Sequence, residues 1–124
     1  LRRIAPEMTV QNKISGEQVS SIPEERAAYE NDPLNHDRLG VGLGPDMFDA
    51  GAWALDKAQA LPLPGLLLHS RNDRLTGFDG SAQFAAKAPN CQFRIFETVE
   101  HEMHNDHSRP DVYAQLVEFI RQNT

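Results

Sequence analysis

The chain has 124 residues, 40% of them hydrophobic, and a formal net charge of −6 at pH 7. This length fits one domain or part of one, and the apolar content is enough for a packed core, which argues against wholesale disorder. The lysines and arginines are scattered and form no basic stripe that could neutralise phosphates, so nucleic acid is not expected as a partner.

Cysteine and hydropathy patterns bear on where the protein is found. The single cysteine, Cys91, cannot form a disulfide within the chain, which permits a reducing compartment. The longest strongly apolar stretch, Leu61 to Leu68, contains two prolines and is too short to span a bilayer. No signal peptide is visible, and the chain is expected to begin within a longer protein or after processing, because Leu1 is not a start methionine. We expect a cytoplasmic location, with peripheral contact to a membrane left open.

Residues 1–60 are polar, irregular and interrupted by prolines, and we predict a mostly helical segment there. A short helix is expected from Pro23 through Tyr29, before Asn31-Asp32-Pro33 ends it. A second helix is expected from Pro45 to about Ala60, because apolar residues recur there at three- and four-residue spacing. That stripe consists of Phe48, Ala52, Leu55 and Ala58, flanked by Met47 and Trp53.

Residues 61–124 alternate between strand-like and helix-like patterns. Gly65 to His69 is apolar on both faces, which is typical of a buried parallel strand. A helix with Asp79 or Ser81 as its cap is expected to run to Ala88. A second strand is expected from Gln92 to Glu97, where polar and apolar residues alternate.

A last helix is expected to begin near Pro110, with an apolar face formed by Val112, Leu116, Phe119 and Ile120. The resulting β-α-β-α order predicts an α/β fold with right-handed crossovers and a mostly parallel sheet. Two strands cannot complete such a sheet, so further strands are expected from elsewhere.

Two residues with catalytic chemistry follow the predicted strands. Asp73 closes the polar turn after the first strand, and His101 comes just past the second. The carboxyl ends of parallel strands meet at one edge of a sheet, so the two side chains are expected there together. A carboxylate and an imidazole are two of the three groups of a Ser-His-Asp triad.

The segment Leu66–Thr76 resembles the acid-bearing segment of the α/β-hydrolases. It is most similar to the monoglyceride-lipase and lysophospholipase-like branch (serine aminopeptidase-type), where a strand leads through a His-Gly turn to an aspartate often followed by Arg-Leu-Thr. Val99–Glu102 resembles the catalytic-histidine loop of that branch, and Tyr29–Leu34 resembles a short Asp-Pro-Leu motif of its cap. Ser70 and Thr98 stand where glycine is usual.

The resemblance implies the C-terminal portion of an α/β-hydrolase fold. Residues 61–124 would form two parallel βα units that carry the catalytic acid, Asp73, and the catalytic histidine, His101. Residues 1–60 would form the cap or lid. The implied activity is hydrolysis of a lipid-like carboxylic ester, of the monoacylglycerol or lysophospholipid type, by a serine hydrolase that needs no metal or organic cofactor.

One departure from the family pattern is decisive for activity. α/β-Hydrolases carry their nucleophile in Gly-x-Ser-x-Gly upstream of the acid, and this chain has neither that pentapeptide nor the oxyanion-hole segment that precedes it. We expect the chain to be the C-terminal part of the enzyme and to be inactive alone. Its expected partner is the missing N-terminal half of the same fold, or a second copy of this chain.

Several alternatives stay open at this point. The full protein could be a peptidase, an epoxide hydrolase or a haloalkane hydrolase of the same fold, or a non-catalytic domain that kept the fold. Met47, Phe48 and Trp53 are candidates to bind the substrate's acyl chain, although a stripe at helical spacing is also typical of plain core packing. His69 is expected to be structural, below the acid turn and hydrogen-bonded to backbone.

A metal site is the last alternative that the sequence raises. His101, His104 and His107, with Asp106 nearby, have ligand chemistry suited to Zn²⁺. The helical zinc motif needs His-Glu-x-x-His, and here the second histidine comes one residue early. No metal is therefore expected.

Overall fold

The structure, a computed structural model, describes residues 8–124, so the first seven residues of the predicted cap segment lie outside it. Strands and helices alternate irregularly in the first half of the chain and regularly in the second. In chain order they are β1 (Thr9–Gln11), α1 (Gly16–Val19), α2 (Pro23–Asn31), β2 (Arg38–Gly40), α3 (Leu43–Lys57), β3 (Gly65–Ser70), α4 (Phe78–Lys87), β4 (Cys91–Phe96) and α5 (Arg109–Gln122), with short 3₁₀ turns at Ala58–Ala60 and Met103–Asn105.

The first half of the chain contains both predicted helices and one feature that the sequence did not indicate. Helix α2 begins at Pro23 as predicted, because proline fits the first helical turn, where its missing N–H is not needed. Helix α3 begins at Leu43, two residues before the predicted Pro45. Strands β1 and β2 form an antiparallel pair, with Thr9 opposite Gly40. Each has three residues, too few to show an alternating pattern.

The second half forms the predicted β-α-β-α unit. Strands β3 and β4 pair in parallel, from Gly65 opposite Cys91 to Ser70 opposite Phe96. Helix α4 connects them, and α5 follows β4. The α/β fold class with a parallel pair is thereby confirmed. The predicted helix caps were wrong, because α4 begins directly after Gly77 and makes no side-chain cap hydrogen bond.

The core of this unit lies where the chain leaves β4 and enters α5. Val99, Met103 and Val112 are buried there, and Leu68 and Phe96 pack against them. The rest of the predicted apolar face of α5 is only partly covered by the described residues, where Phe119 is half-buried. Leu116 and Ile120 keep 38% and 57% of their surface exposed.

Both edges of the parallel sheet are open within the described residues, because β3 and β4 pair only with each other. Within residues 8–124, β3 pairs with β4 and with no other strand, so the second edge of β3 has no strand neighbour there. Strand β3 has the apolar composition of a strand buried inside a sheet, and α5 exposes apolar side chains to solvent. Both features fit a fold that continues beyond β3, β4 and the helices beside them.

Asp106 joins the two halves of the chain. It is 1% exposed, and its carboxylate accepts hydrogen bonds from the backbone N–H groups of Ser21 (2.8 Å), His107 (2.6 Å) and Glu100 (3.3 Å). The Ser21 hydroxyl donates a fourth. Burial by itself would raise the pKa of Asp106, but these donors outweigh it and hold the pKa below its ordinary value.

We predict that Asp106→Asn lowers the free energy of unfolding of the protein that carries this segment by about 2 to 3 kcal/mol. In either amide orientation the asparagine NH₂ group faces backbone donors that the carboxylate had satisfied, and buried unsatisfied donors are costly. Urea unfolding at pH 7 measures the change. Asp49→Asn, on the exposed side of α3, is the matched control and should change the free energy by less than about 0.5 kcal/mol.

We also predict how the stability difference between wild type and Asp106→Asn depends on pH. The folded-state pKa of Asp106 is lowered, so its stabilising effect is complete above the unfolded pKa of about 3.9 and is lost as the pH falls through the folded value. The difference in unfolding free energy between wild type and Asp106→Asn should therefore narrow below about pH 4. A difference that stays constant down to pH 2 would contradict this account of Asp106.

Candidate active site

The turn after β3 brings Asp73 to the sheet edge. Ser70, the last residue of β3, is fully buried, and its hydroxyl donates to the Val99 carbonyl at 2.5 Å. The same oxygen accepts the N–H of Asn72 at 3.1 Å. The serine in place of the usual glycine thus ties the acid turn to the loop that carries the histidine.

The Asp73 carboxylate is surrounded by donors. Oδ1 accepts the backbone N–H groups of Leu75 at 2.8 Å and Thr76 at 2.9 Å. Oδ2 accepts the Thr76 hydroxyl at 2.6 Å and lies 2.9 Å from Nδ1 of His101. It also lies 3.2 Å from Nε2 of His69, and only 4% of the Asp73 side chain is exposed.

These donors decide the charge state of Asp73. Burial would raise the pKa of its carboxyl, but the hydrogen bonds from His101, from the Thr76 side chain and from the backbone of Thr76 and Leu75 oppose it. The net result is a pKa well below the ordinary value. Asp73 is therefore a fixed, ionised acceptor at neutral pH.

The orientation of His101 follows from that charge. An ionised carboxylate can only accept, so Nδ1 of His101 carries the proton in the 2.9 Å contact. Nε2 is then left without a proton in the neutral ring and can take one from a nucleophile. The His101 side chain is 39% exposed, so it is accessible.

Helix α1 holds the histidine loop in place. The N–H of His101 donates to the Gln18 carbonyl at 3.3 Å, and the N–H of Glu102 donates to the Val19 carbonyl at 2.9 Å. These are backbone contacts between segments more than 80 residues apart, and they carry no side-chain signature. Sequence reasoning could not find α1 as a support of the site for that reason.

A second bridge joins the residues that flank the pair. Arg74, directly after Asp73, donates from Nε and Nη2 to the Glu100 carboxylate at 3.2 and 3.1 Å. Glu100, directly before His101, is 8% exposed and also accepts the Asn72 amide at 3.2 Å. A two-bonded arginine–carboxylate pair is geometrically specific, so it restrains both loops.

His69 is buried at the end of β3, as expected for a structural residue. Its Nε2 lies 3.2 Å from the Thr76 carbonyl, the expected contact with backbone. Its Nδ1 lies 2.6 Å from the Ser81 hydroxyl on α4, and the Phe78 ring meets it edge-on at 5.7 Å. The contact of Nε2 with Asp73, noted above, was not expected from the sequence.

The candidate acyl-binding residues lie on the exposed side of α3. Met47, Phe48 and Trp53 are 59%, 82% and 65% exposed. A mostly apolar cavity of about 480 Å³ lies between α3 and α4, and none of the three lines it. Its walls include Gly51, Ala54 and Leu55 of α3, Leu67 of β3, His69, and Gly80, Ser81 and Phe84 of α4. Trp53 lines a smaller cavity of about 270 Å³ beside it.

The histidines after β4 do not converge. His101 faces Asp73, while His104 and His107 are exposed, and Asp106 is engaged by the donors described above. Among residues 8–124 no group of three or more histidine, cysteine, aspartate or glutamate side chains is arranged to hold a metal ion. No helix in that range is both long and apolar enough to cross a membrane.

Two relatives each match nearly the whole chain in sequence. It is 28% identical over 123 residues to a monoacylglycerol lipase of Mycolicibacterium smegmatis, covering 97% of this chain and 44% of that protein. It is 25% identical over 122 residues to an uncharacterized abhydrolase domain-containing protein of Dictyostelium discoideum, covering 96% of this chain and 13% of that protein.

Solved structures match the fold. The crystal structure of Paleococcus ferrophilus monoacylglycerol lipase superimposes with a TM-score of 0.92 at 27% identity, covering 100% of this chain and 49% of the lipase. A soluble variant of monoglyceride lipase from Saccharomyces cerevisiae, solved with a substrate analog, gives a TM-score of 0.83 and covers 100% and 47%. At 14% identity, the second likeness bears on the fold alone.

Together these findings confirm the resemblance to the monoglyceride-lipase branch and the partial α/β-hydrolase fold. The chain spans about half the length of the monoacylglycerol lipases that it matches. A protein-family model described as serine aminopeptidase, S33, matches residues 1–108, which is most of the chain. The chain therefore belongs to the serine aminopeptidase S33 family of hydrolases.

Proposed function

We propose that this segment supplies the acid and the general base of a serine hydrolase that cleaves lipid-like carboxylic esters, of the monoacylglycerol or lysophospholipid type. The observation that carries the proposal is the 2.9 Å contact between Oδ2 of Asp73 and Nδ1 of His101. It leaves Nε2 of an accessible imidazole free to take a proton. The substrate class is supported by the names of the relatives, two of which are monoacylglycerol lipases.

In the proposed mechanism, a serine hydroxyl attacks the ester carbonyl while Nε2 of His101 takes the hydroxyl proton. The same nitrogen then donates that proton to the leaving alcohol, and a water molecule hydrolyses the acyl-enzyme by the same route. Asp73 keeps Nδ1 protonated and stabilises the imidazolium that forms. Its lowered pKa supports this role, because the carboxylate stays ionised throughout the neutral range.

The proposed nucleophile and oxyanion hole belong to a part of the fold outside these 124 residues. Three observations support that arrangement: the sequence has no Gly-x-Ser-x-Gly, the matching monoacylglycerol lipases are about twice as long, and β3 has an unpaired edge within the described residues. The N-terminal half of the same hydrolase would extend the sheet from that edge. A second copy of this chain would extend the sheet but would not supply the serine.

The cap and the acyl pocket remain proposals of the same kind. Helix α3 exposes Phe48 and Trp53, and its residues Gly51, Ala54 and Leu55 border the 480 Å³ apolar cavity. An acyl chain needs an apolar surface of this type, and apolar residues exposed on a helix also suit contact with a lipid surface. We assign Met47, Phe48 and Trp53 to substrate or lipid contact on that basis.

One other chemistry has a specific observation in its favour. The matching family model carries the description of a serine aminopeptidase, and an acid–histidine pair serves amide and ester hydrolysis equally. Comparing p-nitroanilide amides with p-nitrophenyl esters of the same acyl group on the active protein separates a peptidase from an esterase.

We predict that, in the active protein that carries this segment, Asp73→Asn and His101→Ala each lower kcat by about 10⁴-fold. The alanine variant has no base. The asparagine has nearly the same shape but presents an amide that favours the wrong imidazole tautomer and cannot stabilise the cation. Steady-state kinetics with a monoacylglycerol and a p-nitrophenyl ester measures both effects.

His104→Ala and His107→Ala are the matched controls, because both histidines are exposed on the same loop and the mechanism uses neither. Each should keep more than about half of the wild-type kcat, with or without a chelator. Loss of activity at all three histidines, with rescue by Zn²⁺, would favour a metal mechanism instead. Near-normal turnover in both Asp73→Asn and His101→Ala would end the triad assignment.

We also predict that the 124-residue segment alone does not hydrolyse esters and exposes apolar surface. The segment has no Gly-x-Ser-x-Gly, and Leu116, Val117 and Ile120 on α5 are exposed. A p-nitrophenyl ester assay, binding of a hydrophobic dye, and size-exclusion chromatography measure these properties. Saturable turnover that a serine-directed fluorophosphonate abolishes would show that the segment carries its own nucleophile.

A further inference from the structure

The Asp73 carboxylate has a second imidazole beside it. Nε2 of His69 lies 3.2 Å from Oδ2 of Asp73, on the same oxygen that faces His101 at 2.9 Å. His69 is the fifth residue of β3, and Asp73 is four residues further along, after the turn. The acid is thus held between a histidine that can reach substrate and a histidine whose side chain is 9% exposed.

The hydrogen bonds of His69 select one tautomer of its ring. Nε2 is hydrogen-bonded to the Thr76 carbonyl at 3.2 Å, and the Asp73 carboxylate lies beside that bond, also at 3.2 Å; both groups can only accept. Nε2 therefore carries a proton. In the neutral ring Nδ1 must then accept, and the Ser81 hydroxyl at 2.6 Å is placed to donate to it.

The surroundings of His69 leave its ring little freedom. The Phe78 ring packs edge-on against it at 5.7 Å, and Ser81 approaches from the first turns of α4. The titratable and charged groups around it include Asp73, His101 on the same carboxylate oxygen, and the Arg71 guanidinium, which lies 4.5 Å from the centre of the Phe78 ring. A ring held on both nitrogens, by Ser81 and by the Thr76 carbonyl, keeps its N–H in a fixed position beside the carboxylate.

We propose that His69, oriented by Ser81, is a positioning residue for the catalytic acid. Its N–H binds the carbonyl of Thr76, the residue whose own N–H and hydroxyl hold Asp73, and it lies close enough to Oδ2 to offset part of the negative charge there. The inference rests on the proposed role of Asp73 as the acid. It assigns to His69 an effect on turnover that a residue serving only to pack the end of β3 would not have.

Two consequences distinguish positioning from packing. Without the His69 N–H, Asp73 is less well oriented towards His101, and a small misplacement of a catalytic group lowers kcat by about 10- to 100-fold. The charge on Oδ2 is also less shared, so the carboxylate stabilises the His101 cation more strongly. A higher pH is then needed to obtain the neutral base, and the acidic limb of the kcat/KM profile moves up by about 0.5 to 1 pH unit, the scale of one neighbouring polar N–H.

The test compares His69→Asn with His69→Gln in the full-length active hydrolase. A glutamine amide reaches about as far from the backbone as imidazole Nε2 and keeps a donor at that position, beside Thr76 and Asp73. An asparagine amide reaches only as far as Nδ1 and loses that donor. We expect His69→Asn to lower kcat 10- to 100-fold with KM nearly unchanged and to shift the acidic limb upward, and His69→Gln to restore most of both.

The outcomes separate this inference from the proposed function. If Asp73→Asn, measured in parallel, keeps normal turnover, the proposed function fails and this inference with it. If Asp73→Asn is inactive while His69→Asn is normal, only the inference fails. Equal losses in His69→Asn and His69→Gln with no movement of the acidic limb would also overturn it, because that pattern indicates packing alone. If His69→Asn does not fold, Ser81→Ala is measured in its place. An unchanged kcat together with an unchanged acidic limb of the kcat/KM profile in Ser81→Ala would overturn the inference.

Discussion

The site depends on one buried, ionised carboxylate that can only accept hydrogen bonds. Taking a charge out of water is costly unless donors replace the solvent, and the Asp73 side chain is almost fully buried. The chain meets that cost with two backbone N–H groups, the Thr76 hydroxyl and the His101 imidazole, and the His69 imidazole lies 3.2 Å away. The tautomer of His101 follows from this single acceptor.

Three further contacts keep the acid turn and the histidine loop at a constant separation. The Ser70 hydroxyl bonds to the Val99 carbonyl, Arg74 bonds to Glu100, and Asp106 holds the N–H of Glu100. Asp106 also binds Ser21, so the segment around α1 and α2 is joined to the same loop. The geometry of the Asp73–His101 pair therefore depends on several segments together, and a structural change in any of them is expected to alter the distance between the two side chains.

The apolar surfaces of the structure are consistent with a unit that works as part of a larger hydrolase. Helix α5 covers the small core with Val112 and leaves Leu116 and Ile120 exposed, and one edge of β3 is unpaired within the described residues. Matching lipases are about twice as long. In the function proposed above, the same surfaces that leave this unit incomplete would receive the part of the fold that brings the nucleophile to His101.

Local patterns in the sequence determined the order of strands and helices in the second half, the two strand ends, and the placement of Asp73 and His101 beyond them. They did so because strand burial, helix periodicity and proline act within a few residues. Family resemblance added the expected role of each residue. The three-residue strands β1 and β2 carried too short a pattern, and the predicted side-chain caps of α4 were wrong because Gly77 precedes the helix directly.

Only the tertiary structure decided that the Ser70 hydroxyl bonds to the Val99 carbonyl, that α1 supports the histidine loop, and that His69 lies beside Asp73 as well as binding backbone. These contacts join residues whose approach depends on how strands and helices pack, and hydrogen-bond direction is set by that packing rather than by neighbouring residues in the chain.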